Sequence, residues 1–209
     1  MITMKKAIHT AILLATLLIG LFGYRQYKAH VLAEEIAGKI IRFHVRANSD
    51  AELDQELKLK VRDAIGSCMQ PLLSGVGDIE KSRKIIKASL PKIERTAEET
   101  IAAQGFSYPV TASLATVEFP QKTYGSYTFP AGLYEALEVV IGEGKGQNWW
   151  CVMYPNLCFY NSVYEVVGKD AEKSLERALT KEEYESLMEN KNYEIKFAFL
   201  DWLKEKIPH

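Results

Sequence analysis

The first strong pattern along the chain is a largely apolar run from Ala7 to Tyr24 that follows two lysines. A basic start before an apolar core is typical of a secretory signal. The run is also close to the shortest length that can cross a bilayer. Val31 and Ala33 stand at the −3 and −1 positions of a cleavage site after Ala33. The pattern therefore predicts that residues 1–33 are a cleaved signal peptide or an uncleaved membrane anchor, and that residues 34–209 form an exported domain.

The next segment, Lys39 to Arg46, alternates apolar and polar residues in the manner of a half-buried strand. Its apolar positions are expected to face the core, and His44 is expected on the polar face. Ser49 and Glu52 then have the spacing of a capping box, in which a hydroxyl and a carboxylate bond to free N–H groups at the start of a helix. We therefore expect a helix directly after Ser49.

Two apolar stripes with three- and four-residue spacing follow, and each predicts an amphipathic helix. The second stripe contains Pro91, which removes a backbone donor and clashes with the preceding turn, so we expect a kink or a break near Ser89. The stripes comprise Leu53, Leu57, Val61, Ala64, Ile65, Cys68, Met69 and Leu72, and then Ile79, Ile86, Leu90, Ile93, Ala97 and Ile101.

The C-terminal half predicts further strands around one polar helix. A stretch rich in proline and glycine, from Pro120 to Gly132, is expected to loop. A helix is expected over Asp170 to Asn190, where Thr180 and Glu183 form a second capping box. The strands are expected at Tyr108–Phe119, Leu133–Ile141, Asn148–Tyr154 and Tyr193–Leu200. Because strands flank the helices at both ends, the fold class predicted is α+β: one domain with a mostly antiparallel sheet packed against long amphipathic helices.

Charge excludes one class of partner. Four of the 26 basic residues precede Glu34, whereas all 27 acidic residues lie from Glu34 onward, which gives the exported part a net charge of −5. A nucleic-acid-binding protein needs a basic surface that replaces the counterions of the phosphates. The predicted domain lacks such an excess, so no nucleic-acid partner is expected.

Histidine and glycine patterns offer little for catalysis or cofactor binding. Beyond residue 34 the histidines are His44 and the terminal His209, so a zinc site built on histidine pairs is not expected. A Ser-His-Asp triad would have to use His44, and no Gly-x-Ser-x-Gly motif supplies the serine. The Gly144-Lys145-Gly146 turn lacks the spacing of a phosphate-binding loop. No metal and no cofactor are expected.

The three cysteines are of two kinds. Cys68 lies on the apolar stripe of the first helix and is expected to be a small core residue. Cys151 and Cys158 flank a turn at Pro155-Asn156, and the residues alone leave two interpretations open. They form a disulfide across a hairpin, which an oxidising compartment permits, or they pack separately as thiols. A third alternative, a hydrolase that uses Cys151 or His44, lacks a residue that would orient the pair.

Three blocks of the sequence together resemble one family. A motif Tyr-x-x-Pro-Ala-Gly begins at Tyr127, and Gly-x-Asn-Trp-Trp-Cys-Val begins at Gly146. With the flanking residues, the blocks run over Ile41–Ile65, Phe119–Cys158 and Ile195–Leu203. They resemble the stage II sporulation protein R family of endospore-forming bacteria.

The resemblance implies a signalling role outside the cytoplasm. Such proteins are made in the forespore and exported into the space between the two sporulation membranes. There they activate a membrane-bound receptor protease of the mother cell, of the aspartic type, which processes the pro-form of sigma factor E. The protein would then be a ligand rather than an enzyme, and its N-terminal segment would contact the membrane.

Two corners of the predicted fold are candidates for the contact with this receptor. One is the turn after the first strand, with Arg46 and Asn48, and the other is the start of a later strand, with Trp149 and Trp150. Loops on a rigid scaffold commonly hold function, and tryptophan and arginine are enriched at binding hot spots. The competing interpretation is structural: Asn48 ends a strand, and one of the two tryptophans faces the core.

Overall fold

A computed structural model of the 209-residue chain describes residues 2–155 and 169–189. These residues form a single α+β domain, as the sequence predicts, preceded by a long N-terminal helix. The elements are α1 (Ile2–Lys39), β1 (Ile41–Arg46), α2 (Glu52–Leu73), α3 (Ile79–Ala103), β2 (Val110–Phe119), β3 (Lys122–Tyr124), β4 (Tyr127–Phe129), β5 (Gly132–Ile141), β6 (Asn148–Tyr154), α4 (Lys169–Ala178) and α5 (Lys181–Glu189). The strand predicted at Tyr193–Leu200 lies outside the described residues.

The main sheet has the strand order β2-β5-β1-β6. β2 pairs antiparallel with β5, β1 pairs antiparallel with β6, and β1 and β5 run parallel. The prediction of a mostly antiparallel sheet is therefore confirmed. The stretch from Pro120 to Gly132, which we expected to loop, instead contains the hairpin β3–β4, a separate two-stranded sheet.

Strand β1 lies in the interior of the sheet and is covered on both faces. Ile41, Phe43 and Val45 pack with the apolar stripes of α2 and α3 in one core cluster. On the opposite face, Arg42 is 0 % exposed and His44 is 2 % exposed. The expectation that β1 is half-buried is wrong, because a second layer formed by the end of α1, the β3–β4 hairpin and α4–α5 covers the polar residues.

This second layer is rich in aromatic residues that surround the Arg42 guanidinium. Its carbon lies 4.5 Å from the ring centroid of Phe119, 5.0 Å from Tyr134, 5.2 Å from Phe129 and 5.6 Å from Tyr124. One nitrogen donates to the Tyr124 hydroxyl at 3.1 Å, whereas Nε and Nη1 have no hydrogen-bond partner. Burial lowers the pKa of Arg42, and the two tyrosines oppose that shift. Attraction between the cation and the ring faces compensates part of the loss of hydration.

Helix α1 differs along its length. All ten large apolar side chains from Ile12 to Tyr27 are more than half exposed, on every side of the helix. The C-terminal end instead joins the core through Ile36 and through Ile40, which directly follows the helix. Lys39 Nζ also lies 2.6 Å from the buried carboxylate of Glu183 in α5. Within residues 2–155 and 169–189, no helix combines the length and the apolar character needed to cross a membrane.

The helix starts agree with the sequence in one case and differ in another. Thr180 and Glu183 form the predicted capping box: the Thr180 N–H donates to the Glu183 carboxylate at 2.7 Å, and the Glu183 N–H donates to the Thr180 hydroxyl at 3.3 Å. The capping box predicted at Ser49 is wrong. Helix α2 begins at Glu52 after Ala51 without a side-chain cap, because the Ser49 hydroxyl donates to Asp54 instead, at 2.6 Å. Helix α3 continues through Pro91 without a break.

Candidate functional site

The turn between β1 and α2 is bound to the turn between β5 and β6 through Asn48. The Asn48 side chain accepts a hydrogen bond from the Glu143 N–H at 3.0 Å and donates to Asp54 at 2.8 Å. The backbone carbonyl oxygen of Asn48 accepts from the Lys145 N–H at 3.1 Å. Asp50 accepts from the Gln147 N–H at 2.6 Å. The two turns therefore form one rigid corner, which we call the Asn48 corner.

Three glycines permit this close approach. Gly142 and Gly144 have φ angles of 57° and 60°, which side chains rarely adopt. A Cβ on Gly142 would overlap the Asn48 side chain, and one on Gly146 would overlap the backbone carbonyl of Ser49. The backbone of the β5–β6 turn thus lies directly against Asn48 and Ser49. This arrangement gives Asn48 a structural role.

Beside the Asn48 corner, one end of the sheet is open to solvent on the face opposite α2 and α3. At the other end of this face Arg42, Phe119 and Ala136 are 0 % exposed. Exposure then increases toward the open end: the side chain of Arg46 in β1 is 41 % exposed and that of Glu138 in β5 is 20 % exposed. Cross-strand pairing places the residues of this open end in two rows, Thr111-Val140-Arg46-Asn148 and Ser113-Glu138-His44-Trp150.

The ring of His44 is the buried centre of the second row. It stacks on Trp150, with the ring centroids 3.8 Å apart and the planes inclined by 12°. Its Nδ1 lies 3.7 Å from a Glu138 oxygen, and neither ring nitrogen has a hydrogen-bond partner. Burial lowers the pKa of His44 from 6.5 to about 4, the nearby Asn148 side chain opposes this shift, and the charge of Arg46 adds to it. The imidazole is therefore neutral near pH 7.

Arg46 is the cation of the open end. Its Nη1 lies 3.6 Å from the same Glu138 carboxylate that approaches His44. This contact is longer than a strong ion pair, so the guanidinium retains capacity for another acceptor. The arrangement presents a positively charged group next to the half-buried Trp150.

The two predicted tryptophans lie on opposite faces of the sheet, and both are half-buried. Trp149 packs edge-on against Phe43 at 5.4 Å. The Arg62 guanidinium from α2 covers its ring at 5.0 Å. Trp150 packs on His44 and, at 4.6 Å, against Phe119. Trp150 therefore borders the open end, whereas Trp149 supports the contact between α2 and the sheet.

The chemical alternatives find little support in this geometry. Cys151 is 5 % exposed and lies opposite Phe43 in the register, one position away from the His44–Trp150 pair. Since the ring nitrogens of His44 make no hydrogen bond, the structure shows no nucleophile–base pair between the two residues. Cys151 is disulfide-bonded, and Cys158, its partner in one of the two interpretations, lies outside the described residues, so that pairing stays a prediction. Within residues 2–155 and 169–189, no group of three histidine, cysteine or acidic residues is placed to hold a metal ion.

The sequence indicated three members of this region, Arg46, Asn48 and Trp150, and missed Glu138 and Val140. Both of these come from β5, which reads as an ordinary strand. Their role depends on the parallel pairing of β5 with β1, which puts Glu138 opposite His44 and Val140 opposite Arg46. The alternation in β5 indicates that they share a face, but not which strand lies beside them.

Comparisons with known proteins agree on one family. The family model for stage II sporulation protein R matches residues 37–164. Stage II sporulation protein R of Bacillus subtilis (strain 168) is 34 % identical to this chain over 221 aligned positions, which cover 97 % of the chain and 99 % of the relative. No solved structure matches the protein. The matched residues include β1, the Asn48 corner and both tryptophans, and the chain belongs to the stage II sporulation protein R family, a family of sporulation proteins.

Proposed function

We propose that the protein is the intercompartment signal of sporulation. It is made in the forespore, exported into the space between the two membranes, and activates a membrane-embedded aspartic-type protease of the mother cell. That protease then processes the pro-form of sigma factor E. Family membership over nearly the whole chain is the observation that carries this proposal. On this proposal the protein acts by contact and performs no chemistry of its own.

Helix α1 supports the export step. Leucine side chains that surround a helix and contact no protein surface are unfavourable in water, at a cost of about 25 cal/mol per Å² of exposed apolar surface. They require an apolar environment, and an export machinery or a lipid surface offers one. The basic residues near the N-terminus add the other property of a secretory signal.

The first prediction concerns this helix. Replacing Leu13, Leu14, Leu17 and Leu18 with aspartate should abolish export, since each charge opposes insertion by about 2.5–3.5 kcal/mol. All four side chains are at least 55 % exposed, so the domain should keep its fold. A C-terminal reporter that is active only in the cytoplasm measures the effect, and it should change from silent to active. Methionine at the same four positions keeps the helix apolar and should leave the reporter silent; activity there would contradict the proposal.

The open end of the sheet is the surface that we assign to the receptor. It combines the Arg46 guanidinium, which lacks a close ion pair, with the exposed Asn148 amide and the half-buried Trp150 indole. The Asn48 corner holds these groups in place. Arg and Trp side chains in such a setting are frequent hot spots. We keep Arg46 and Trp150 as contact residues and interpret Asn48 and Trp149 as residues that hold them in place.

The second prediction tests this surface. Arg46→Ala should reduce processing of the pro-sigma factor about ten-fold when the protein and the protease are co-expressed. The thermal midpoint should change by less than about 2 °C, because the contact with Glu138 is long and partly exposed. Lys87→Ala on α3 is the control, since Lys87 is exposed and α3 packs on the opposite face of the sheet. Normal processing by the Arg46 variant, or an equal loss in the Lys87 variant, would remove the open end as the contact surface.

A further inference from the structure

Strand β2 forms one edge of the main sheet. It is ten residues long and carries one charged residue, Glu118. Within residues 2–155 and 169–189 no strand pairs with its outer side. A long edge strand without proline and with few charges is a template for pairing with another chain, and natural proteins usually protect such edges.

Two hydrogen bonds establish which residues of β2 point outward. The Pro109 carbonyl accepts from the Gly142 N–H at 2.8 Å and therefore points toward β5. The Ala112 N–H donates to Glu94 of α3 at 2.9 Å and therefore points away from β5. Because backbone groups alternate along a strand, the even-numbered residues of β2 present their N–H and C=O groups to the open edge.

Glu94 protects this edge at one position. Its carboxylate satisfies the N–H of Ala112, and the next outward residues along the strand are Leu114, Thr116 and Glu118. In the part of the chain that the structure describes, their outward backbone groups have no protein partner. The unprotected edge is thus a five-residue segment, Leu114 to Glu118, with Thr116 at its centre.

We propose that a second copy of this chain occupies this edge. The two β2 strands pair antiparallel across a two-fold axis at Thr116 and join the two sheets into one. This register places Thr116 opposite its own copy and Leu114 opposite Glu118, and it forms about six backbone hydrogen bonds. Ala112 lies beyond the paired segment, so Glu94 keeps its bond in the dimer.

The side chains of the segment favour pairing with itself. The register opposes Thr with Thr, Ala115 with Val117, and Leu with Glu, so no like charges meet. Opposed threonines stabilise a sheet by hydrogen bonding. Arg83 and Glu135 lie on the α3 side of Thr116 and already neutralise each other at 2.7 Å. A two-fold contact is also closed, so that pairing ends with two copies and does not continue into a filament.

Cross-linking tests the register directly. In the full chain with Cys68→Ser, Thr116→Cys puts two sulfurs at a hydrogen-bonded pair, where Cα atoms lie about 5.5 Å apart, a distance that a disulfide spans. Oxidation with copper phenanthroline should give at least about ten times more covalent dimer than for Thr111→Cys, an exposed position on the same strand. Two copies of residue 111 would lie about 33 Å apart. Equal cross-linking of both variants would overturn the proposal, and so would no cross-linking of Thr116→Cys, which is expected if the strand predicted at Tyr193–Leu200 pairs with this edge in its own chain.

A second measurement avoids new cysteines. Thr116→Pro removes the outward N–H at the axis and leaves the ladder to β5 complete, whereas Thr116→Ala keeps that N–H. Both variants are compared by sedimentation in one detergent, at about 0.1 to 1 mM protein because such a small interface is weak. Thr116→Ala should be a dimer and Thr116→Pro a monomer. Association through the apolar part of α1 would affect both variants equally, and that result would contradict pairing at β2. Neither measurement depends on the receptor, so failure of the dimer leaves the proposed signalling role standing.

Discussion

Lowering the pH from 7 to about 4 is expected to reduce the free energy of unfolding by about 3 kcal/mol through His44 alone. The folded-state pKa of this histidine is lowered from 6.5 to about 4. Between these values the unfolded chain binds the proton and the folded chain does not. The contribution of His44 to stability is therefore fully present above about pH 6.5, is lost as the pH decreases, and changes no further below about pH 4. The steepest slope is about 1.4 kcal/mol per pH unit.

Chemical denaturation at a series of pH values measures this effect, and His44→Gln is the control. Glutamine does not titrate, so its profile should be nearly flat between pH 6.5 and 5. Acidic groups contribute only at lower pH. For Asp54, burial raises the pKa, but the hydrogen bonds from Ser49 and Asn48 lower it by more, so the net pKa lies below 3.8. The stability that Asp54 provides is lost only as the pH falls below that range. Identical slopes for the two proteins above pH 5 would show that the fold does not lower the pKa of His44.

The Asn48 corner should be the position most sensitive to a single added methyl group. Gly146→Ala is expected to destabilise the protein by about 3 kcal/mol, because the new Cβ overlaps the Ser49 carbonyl, and backbone cannot move aside cheaply. Gly77→Ala is the matched control: no atom lies within 4 Å of the added Cβ, so the change should be close to neutral. Thermal unfolding of both variants decides the matter, and equal midpoints would mean that the two turns are not in contact.

A double-mutant cycle separates the two causes of glycine preference at Gly142. Alanine there meets the Asn48 side chain and also adopts a φ of 57°. In an Asn48→Ala background the overlap with the amide atoms is gone, and a Cβ–Cβ contact at 3.1 Å remains together with the backbone strain of about 1 kcal/mol. Gly142→Ala should therefore cost clearly less in that background than in the natural chain. A cost that does not depend on Asn48 would assign the whole effect to the backbone angle.

The sequence predicts the main sheet well because its strands have strong local signals. The predicted strand Asn148–Tyr154 has the bounds of β6, and β5 begins one residue before its predicted start. The β3–β4 hairpin is missed because each strand has only three residues. Its stability comes from packing over Arg42, a residue about 80 positions away in the chain. Periodicity cannot report such a contact, since it depends on which segments meet.

The candidate site illustrates the same limit. Polarity alone places Arg42 and His44 on a solvent face, whereas aromatic rings from β2, β5 and the hairpin bury them. Likewise, Ser49 and Glu52 satisfy a helix-start pattern, but Asp54 competes successfully for the Ser49 hydroxyl. Local patterns state what a residue can do, and the neighbours brought by the fold determine which of these contacts forms.

The continuity of α1 has a geometric consequence for the proposed contact of its apolar segment with a membrane. The helix runs from Ile2 to Lys39, and its end is held in the core by Ile36 and by Ile40, the residue directly after it. As long as the helix is uncut, the domain is attached to its apolar segment by a rigid rod without a swivel, about 36 Å from Ile12 to Ile36. Each residue added within the exposed part would raise the domain by about 1.5 Å and turn it by about 100°. Signalling by an uncleaved protein would then vary periodically with insertion length, with recovery after seven residues, whereas signalling by a domain released after Ala33 would not respond to insertions at all.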